Sequence, residues 1–145
     1  MATLDKAIII ATQAHRYQRD KAGRPYILHP LRVMMAMDNE QEMTAAVLHD
    51  VVEDSKWTLE RLRGEGFSAE ILEVIDALTR RKDESYEEYA SRAGAQPVAR
   101  KIKLADLRDN MDITRLIELT DESIQRLRQY HTTWQMLKQD EQIDR

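Results

Sequence analysis

The 145-residue sequence predicts an all-α fold, a single helical bundle, and three observations carry that prediction. Turn formers are scarce: 4 Gly and 3 Pro make about 5% together, against an average nearer ~12%. No strand-like alternation of useful length occurs. Short polar residues stand where helix N-caps belong, ahead of runs with helical apolar spacing. Hydrophobic residues make up 42% and charged residues 33%, enough apolar material for a core, which excludes wholesale disorder.

Thr3 is placed to cap a first helix running through Ala14 and beyond, with Ile8, Ala11 and His15 along one face. The helix is expected to stop near Ala22-Gly23-Arg24-Pro25, the clearest loop signal in the chain. A second helix is expected over about residues 30–37, with Leu31, Met34 and Met35 apolar. Asp38-Asn39 breaks the pattern, and a third helix is expected over about residues 41–52. Thr58 and Ser68 read as caps of two shorter helices, over residues 58–63 and 68–79, with Gly64 and Gly66 between them. Ser85-Tyr86-Glu87-Glu88 is a capping box. Pro97 suits the first turn of a helix ending near Met111, and a last long helix starts at Asp121 and runs past Trp134. Neither an internal repeat nor a linker appears, so about seven helices in one domain are expected.

Composition removes several function classes. A formal net charge of −4 argues against coating DNA or RNA, because phosphate binding needs a basic surface. With 0 cysteines there are no disulfides, thiolate metal sites or cysteine nucleophiles. No apolar run approaches the ~20 residues of a membrane span, and the short apolar stretch at residues 7–11 lacks the flanks of a signal peptide. A soluble cytoplasmic protein is the expectation, and the sequence leaves a homo-oligomer open.

The richest stretch is Ala45-Ala46-Val47-Leu48-His49-Asp50-Val51-Val52-Glu53-Asp54. On a continuous helix, at ~100° per residue, its four polar residues share one arc. Burying three carboxylates and an imidazole together is costly unless a cation or hydrogen bonds compensate. A divalent metal does so and leaves carboxylates for proton transfer, whereas a solvated helix end is the plainer alternative. His29 follows a loop in Tyr26-Ile27-Leu28-His29-Pro30. Lys103, Asp106 and Asn110 share a helix face, either as a solvated polar stripe or as part of a site. From His15 to Arg24, the residues Arg16, Arg19, Lys21 and Arg24 outnumber Asp20 and suit an anionic ligand. His15 reads as a packing residue and His131 as a surface one, while Trp57, Trp134 and the methionines read as core or rim.

In order along the chain, Ala14-His15-Arg16-Tyr17-Gln18, Gly23-Arg24-Pro25-Tyr26-Ile27-Leu28-His29-Pro30, Leu48-His49-Asp50-Val51-Val52-Glu53-Asp54 and Lys103-Leu104-Ala105-Asp106 resemble the HD-domain metal phosphohydrolases. More specifically, they resemble the alarmone hydrolase domain of the RelA/SpoT family. The resemblance implies one HD-type hydrolase domain over residues 1–145 without the family's synthetase domain. It implies that His29, His49, Asp50 and Asp106 ligate one metal, usually Mn²⁺, and that Glu53 and Asp54 are the catalytic acidic pair beside it. The implied reaction removes the 3′-pyrophosphate of ppGpp or pppGpp, leaving GDP or GTP. The implied substrate contacts are Arg19, Lys21, Asn110, Arg126 and Tyr130, with Arg81 a further candidate. Two departures bear on the nucleotide. Asp20 stands where the family often has arginine, and Ala105-Asp106-Leu107-Arg108-Asp109-Asn110 stands where relatives commonly read Ala-Asp-Arg-Leu-His-Asn. They favour, as the alternative, an HD phosphohydrolase for another phosphorylated nucleotide; a non-catalytic nucleotide-binding helical module is a further alternative, and the intact ligand set with Glu53 and Asp54 counts against it.

Overall fold

Nine α-helices order the computed structural model, which describes residues 1–143. They are α1 (Leu4–Ala14), α2 (Leu28–Met35), α3 (Glu40–Val47), α4 (Val51–Asp54), α5 (Leu59–Gly64), α6 (Ala69–Ala77), α7 (Tyr86–Ala95), α8 (Pro97–Asn110) and α9 (Asp121–Ile143), with a 3-10 turn at Ile113–Arg115 before the last. Among the described residues there is no strand, and the all-α expectation holds. Polar caps start most of the helices: Asn39, Thr58, Ser68 and Ser85 each accept a backbone N–H from three residues on. Gln96 caps α8 with Pro97 at its first position. Thr3 occupies the cap position of α1 but makes no side-chain capping bond.

Two local differences from the sequence reading shape the site. The first helix ends at Ala14, and residues 15–27 form a folded loop rather than a continuation. Tyr17 takes a left-handed conformation with φ of 70°, and Gln18 N–H turns back to the His15 carbonyl. The loop then pairs with itself at Arg19 and Pro25, and Gly23 supplies the positive φ of 79° that its tip needs. The second difference is a break in the helix expected over residues 41–52. Around His49 the ladder tightens: His49 N–H reaches Ala46 and Val51 N–H reaches Leu48, each a three-residue step, before α4 resumes.

α3 is packed against α1, α2, α6 and α8, and its Ala45, Ala46 and Val47 are buried in the main core. A smaller cluster of Leu104, Leu107 and Leu137, edged by Met111, Tyr130 and Trp134, fastens α9 to α8. α9 therefore rests on few apolar contacts. Gly94 of α7 lets it approach closely, since a Cβ there would stand 2.7 Å from Leu137 Cδ2. Leu137→Ala should cost about 2–5 kcal/mol. The check is chemical denaturation, read as a lower midpoint at unchanged slope.

Candidate functional site

Three segments deliver the central polar side chains. His29 comes from the first turn of α2, His49 and Asp50 from the tightened turn between α3 and α4, and Asp106 from the middle of α8. Burial is nearly complete: His29 is 4%, His49 2% and Asp106 6% exposed. His29 Nε2 lies 2.8 Å from Asp106 Oδ1 and 3.8 Å from Asp50 Oδ2, and His49 Nε2 lies 3.0 Å from Asp50 Oδ2 and 3.6 Å from Asp106 Oδ1. Ligands at right angles on bonds of ~2.1 Å stand ~3 Å apart, so these spacings are close to what one cation needs.

The rings are oriented for that role. His49 Nδ1 donates 2.6 Å to the Ala46 carbonyl, which turns Nε2 inward, and this buried Nε2 makes no hydrogen bond of its own. His29 Nδ1 faces Asp109 Oδ2 at 2.7 Å, which likewise points its Nε2 at the centre. Two imidazole nitrogens and two carboxylate oxygens suit a borderline-to-hard divalent ion. The residues present therefore fit a metal.

Each ligand is held from behind. Tyr26 Oη donates 2.6 Å to Asp50 Oδ2, Lys103 Nζ 2.9 Å to Asp106 Oδ2, and Asn110 Nδ2 3.2 Å to Asp106 Oδ1. Lys103 is itself buried, so the polar face of α8 is an interior network and not a solvated stripe. Burial and the Asp50 carboxylate push the Tyr26 phenol far up, and it remains a donor.

Electrostatics follow from the crowding. Burial opposes charge on His29, but hydrogen bonds to Asp106 and Asp109 win and raise it to about 9. His49 is raised too, against burial, by Asp50 and Asp106. Asp54, at the end of α4, is pushed up to about 6 by burial and by the neighbouring Asp50 and Glu53 carboxylates. Glu53 takes a different environment, accepting the Arg80 N–H at 3.0 Å.

A cleft of about 340 Å³ opens beside the cluster, sharing Tyr26 and His29 with it. Arg19, Lys21, Asn110, Arg126 and Tyr130 line it together, so the structure gathers five of the six residues expected to touch substrate. Arg81 does not line it. Its exposed guanidinium sits 3.5 Å from Asp76, on the far side of a sequence neighbour that holds Glu53. The Asp20 carboxylate is spent on its own loop, accepting the N–H groups of Ala22 and Arg24. His15 is buried against Tyr26, ring centroids 4.9 Å apart, with Nδ1 2.9 Å from Gln18 Oε1.

Sequence reasoning assigned no site role to Tyr26, Arg32, Asp109 or Arg115, and placed Lys103 only on a shared face with Asp106. Arg32 and Arg115 line the cleft with Asp109 between them. Only the i, i+3 spacing of Lys103 and Asp106 offered a signal.

Because the His29 imidazole is raised to about 9, binding a divalent cation at its Nε2 must displace a proton. At pH 7.5 at least one proton should be released per cation bound, and affinity should fall as pH falls. Calorimetric titration with a divalent metal chloride, in two buffers of different ionisation enthalpy, measures this directly. A binding enthalpy independent of buffer would contradict the arrangement.

With this geometry in view, comparisons with known proteins are informative. The HD domain family model matches residues 7–142. A guanosine-3′,5′-bis(diphosphate) 3′-pyrophosphohydrolase of Haemophilus influenzae is 40% identical over 77 residues, which is 50% of this chain and 11% of that protein. The guanosine-3′,5′-bis(diphosphate) 3′-pyrophosphohydrolase MESH1 of Danio rerio is 34% identical over 120 residues, covering 72% of this chain and 65% of that one. The chain thus spans about a tenth of the bacterial relative and under two thirds of the fish one. A solved structure of a metazoan ortholog of SpoT, described as hydrolysing ppGpp, superimposes with a TM-score of 0.75 at 24% identity, over 92% of this chain and 84% of that one. That likeness extends the agreement in fold, and the match over nearly the whole length means that the chain belongs to the HD domain family.

Proposed function

We propose that this protein is a Mn²⁺-dependent phosphohydrolase that removes the 3′-pyrophosphate from guanosine polyphosphates, yielding GDP or GTP and pyrophosphate. One observation carries the reading: a cation-lined cleft opens directly onto a buried set of two imidazoles and two carboxylates. The names borne by the bacterial and fish relatives point to the same substrate class. His29, His49, Asp50 and Asp106 would hold the ion. When bound, such an ion supplies Lewis-acid neutralisation of phosphoryl charge and makes nearby water more acidic.

The remaining chemistry belongs to the chain. In hydrolysis, water oxygen bonds to the phosphorus on the ribose 3′ oxygen, that P–O bond breaks, and the 3′ oxygen regains a proton. Asp54 is suited to accept the water proton, because its carboxyl is poised at about 6, near working pH. Glu53 is fixed by a peptide N–H from the Arg80 loop. That loop is in turn clamped by Arg92, which donates to Glu84 Oε2 at 2.7 Å and Oε1 at 2.8 Å and to the Thr79 carbonyl. On this reading Glu53 would orient water or assist the leaving oxygen. Lys21, Arg19 and Arg126 line the cleft and would grip phosphate oxygens, while Tyr130 and the apolar Leu116 and Leu127 offer surface for the nucleoside. Asn110, bonded to Asp106, joins that surface to the ligand set.

A second reading, hydrolysis of a different phosphorylated nucleotide, is favoured by Asp109 and Asp112 in the cleft wall, which offset part of its positive charge. A panel of nucleotides with Mn²⁺, scored for pyrophosphate against orthophosphate, decides between the two. Pyrophosphate released from ppGpp in preference to the others supports the first reading. Lys21→Ala should lower kcat/KM for ppGpp roughly 10- to 150-fold, the worth of a charge-assisted contact of ~1.5–3 kcal/mol, and should affect a simple phosphomonoester less.

Asp54→Asn should act in opposite directions on turnover and stability. Turnover should fall ~10²–10⁴-fold with metal retained. The metal-free protein should become more stable at pH 7.5, since the folded carboxyl, at about 6, sits above its ordinary 3.8 and ionising it penalises the fold as pH rises through that window. The gain should be about 1 kcal/mol after screening by the water that reaches this side chain. Thermal melts at pH 7.5 and pH 4 test the sign: the gain should vanish at the lower pH.

A further inference from the structure

Asp109 sits at the one place where the ligand cluster and the cleft meet. It lies on α8 one turn beyond Asp106, its side chain only 12% exposed. Oδ2 accepts from His29 Nδ1 at 2.7 Å. On its other side, Arg32 Nε donates to Oδ1 at 2.7 Å and Arg32 Nη2 to Oδ2 at 3.1 Å, a two-pronged guanidinium contact. Arg115 completes the set, its Nη2 donating 2.8 Å to the Asp109 carbonyl and standing 3.4 Å from Oδ1. The carboxylate thus ties α2, through His29 and Arg32, to α8, and the 3-10 turn joins through the Asp109 carbonyl and through Asp112, which Arg115 Nη1 reaches at 3.1 Å.

We infer that Asp109 is a positioning residue with two linked effects: it orients His29 for the metal, and it occupies Arg32 so that this guanidinium does not serve as a phosphate receptor. The first effect is the familiar one of a carboxylate behind a ligating imidazole, which fixes the tautomer and the ring plane and strengthens the ligand. The second follows from valence and charge. A guanidinium whose donors are directed at a buried carboxylate has fewer left to turn toward an incoming anion. Phosphate binding is then left to Lys21, Arg19 and Arg126, which line the same cleft without contacting Asp109. One carboxylate so placed sets which cations of the cleft can grip the anion, those of the 15–27 loop and α9.

The inference rests on the metal reading given above, and the experiment separates the two. Wild type, Asp109→Asn, Asp109→Ala and His49→Ala are compared for Mn²⁺ binding by calorimetry. In EDTA, metal-free, they are compared for binding of inorganic pyrophosphate. Asp109→Asn keeps an acceptor for His29 Nδ1 but drops the charge; Asp109→Ala drops both. Mn²⁺ affinity should fall in the order wild type, Asn, Ala, with the Ala variant 10- to 100-fold weaker than wild type. Pyrophosphate should bind 3- to 10-fold more tightly to both Asp109 variants, because Arg32 is released, while Arg115 keeps its bonds to the Asp109 carbonyl and to Asp112 Oδ2 at 3.1 Å. A merely structural role would weaken both ligands together, and that result overturns the inference. So does Mn²⁺ affinity within twofold of wild type in both variants while His49→Ala loses the metal, an outcome that leaves the metal reading standing. Failure of wild type to bind Mn²⁺ overturns both. If Asp109→Ala does not fold, the Asn variant alone decides by the same opposed changes.

Discussion

Everything else in this protein is arranged around one electrostatic problem, the burial of Asp50 and Asp106 beside His29 and His49 in the middle of a helical core. An ionised carboxylate removed from water without compensation costs several kcal/mol. Here two share one pocket. The fold answers with Lys103 behind Asp106, Tyr26 behind Asp50 and a raised proton affinity on both imidazoles. A proton there is a substitute for a cation, and it occupies a nitrogen that a metal would use. The metal-free site is therefore satisfied only partly, as the unbonded His49 Nε2 shows. A divalent ion relieves the carboxylate repulsion and the nitrogen together, so metal affinity and fold stability draw on the same contacts.

The same problem explains the broken helix. If α3 had continued regularly through Leu48, His49 and Asp50 would point about 100° apart around its axis. Three-residue hydrogen-bond steps tighten the backbone there, and the Ala46 carbonyl receives both the His49 N–H and its Nδ1. That double anchor brings His49 Nε2 and Asp50 Oδ2 to 3.0 Å. Neither Gly nor Pro marks the break in Ala46-Val47-Leu48-His49-Asp50-Val51. The tertiary demand of the site overrides local helix preference, which sequence periodicity alone reads as one continuous element.

What was legible in the sequence divides along that line. Caps such as Thr58, Ser68 and Ser85 act within three residues, and they were readable because local geometry suffices. The ligand types were readable because His and Asp are conspicuous inside apolar helical runs and because their motifs resemble a known family. The supporting contacts were not. Asp109 meets His29 across 80 residues of sequence and Arg32 across 77, and only packing of α2 on α8 brings them together. The substrate-side reading shows the same limit from the other direction: the resemblance offered Arg81 as a further candidate beside Arg126, yet of the two Arg126 lines the cleft. Charge is visible in a sequence, whereas the direction in which a guanidinium is spent depends on its neighbours.

The division extends to how function is built. The ligands come from α2, the α3–α4 turn and α8, elements whose apolar faces belong to or border the main core. The cleft walls come from the 15–27 loop, the 3-10 turn and the first half of α9, and α9 is held by the smaller Leu104, Leu107 and Leu137 cluster. On the proposed reading, chemistry would sit on the well-packed part of the molecule and recognition on the lightly packed part. Changes in loop residues such as Asp20 or Lys21 would then alter which anion is held without disturbing Asp106 and its partners. A site organised this way would keep its buried polar centre while the ligand held in the cleft shifts. Asp109, bonded to both sides, is the residue at which that independence ends.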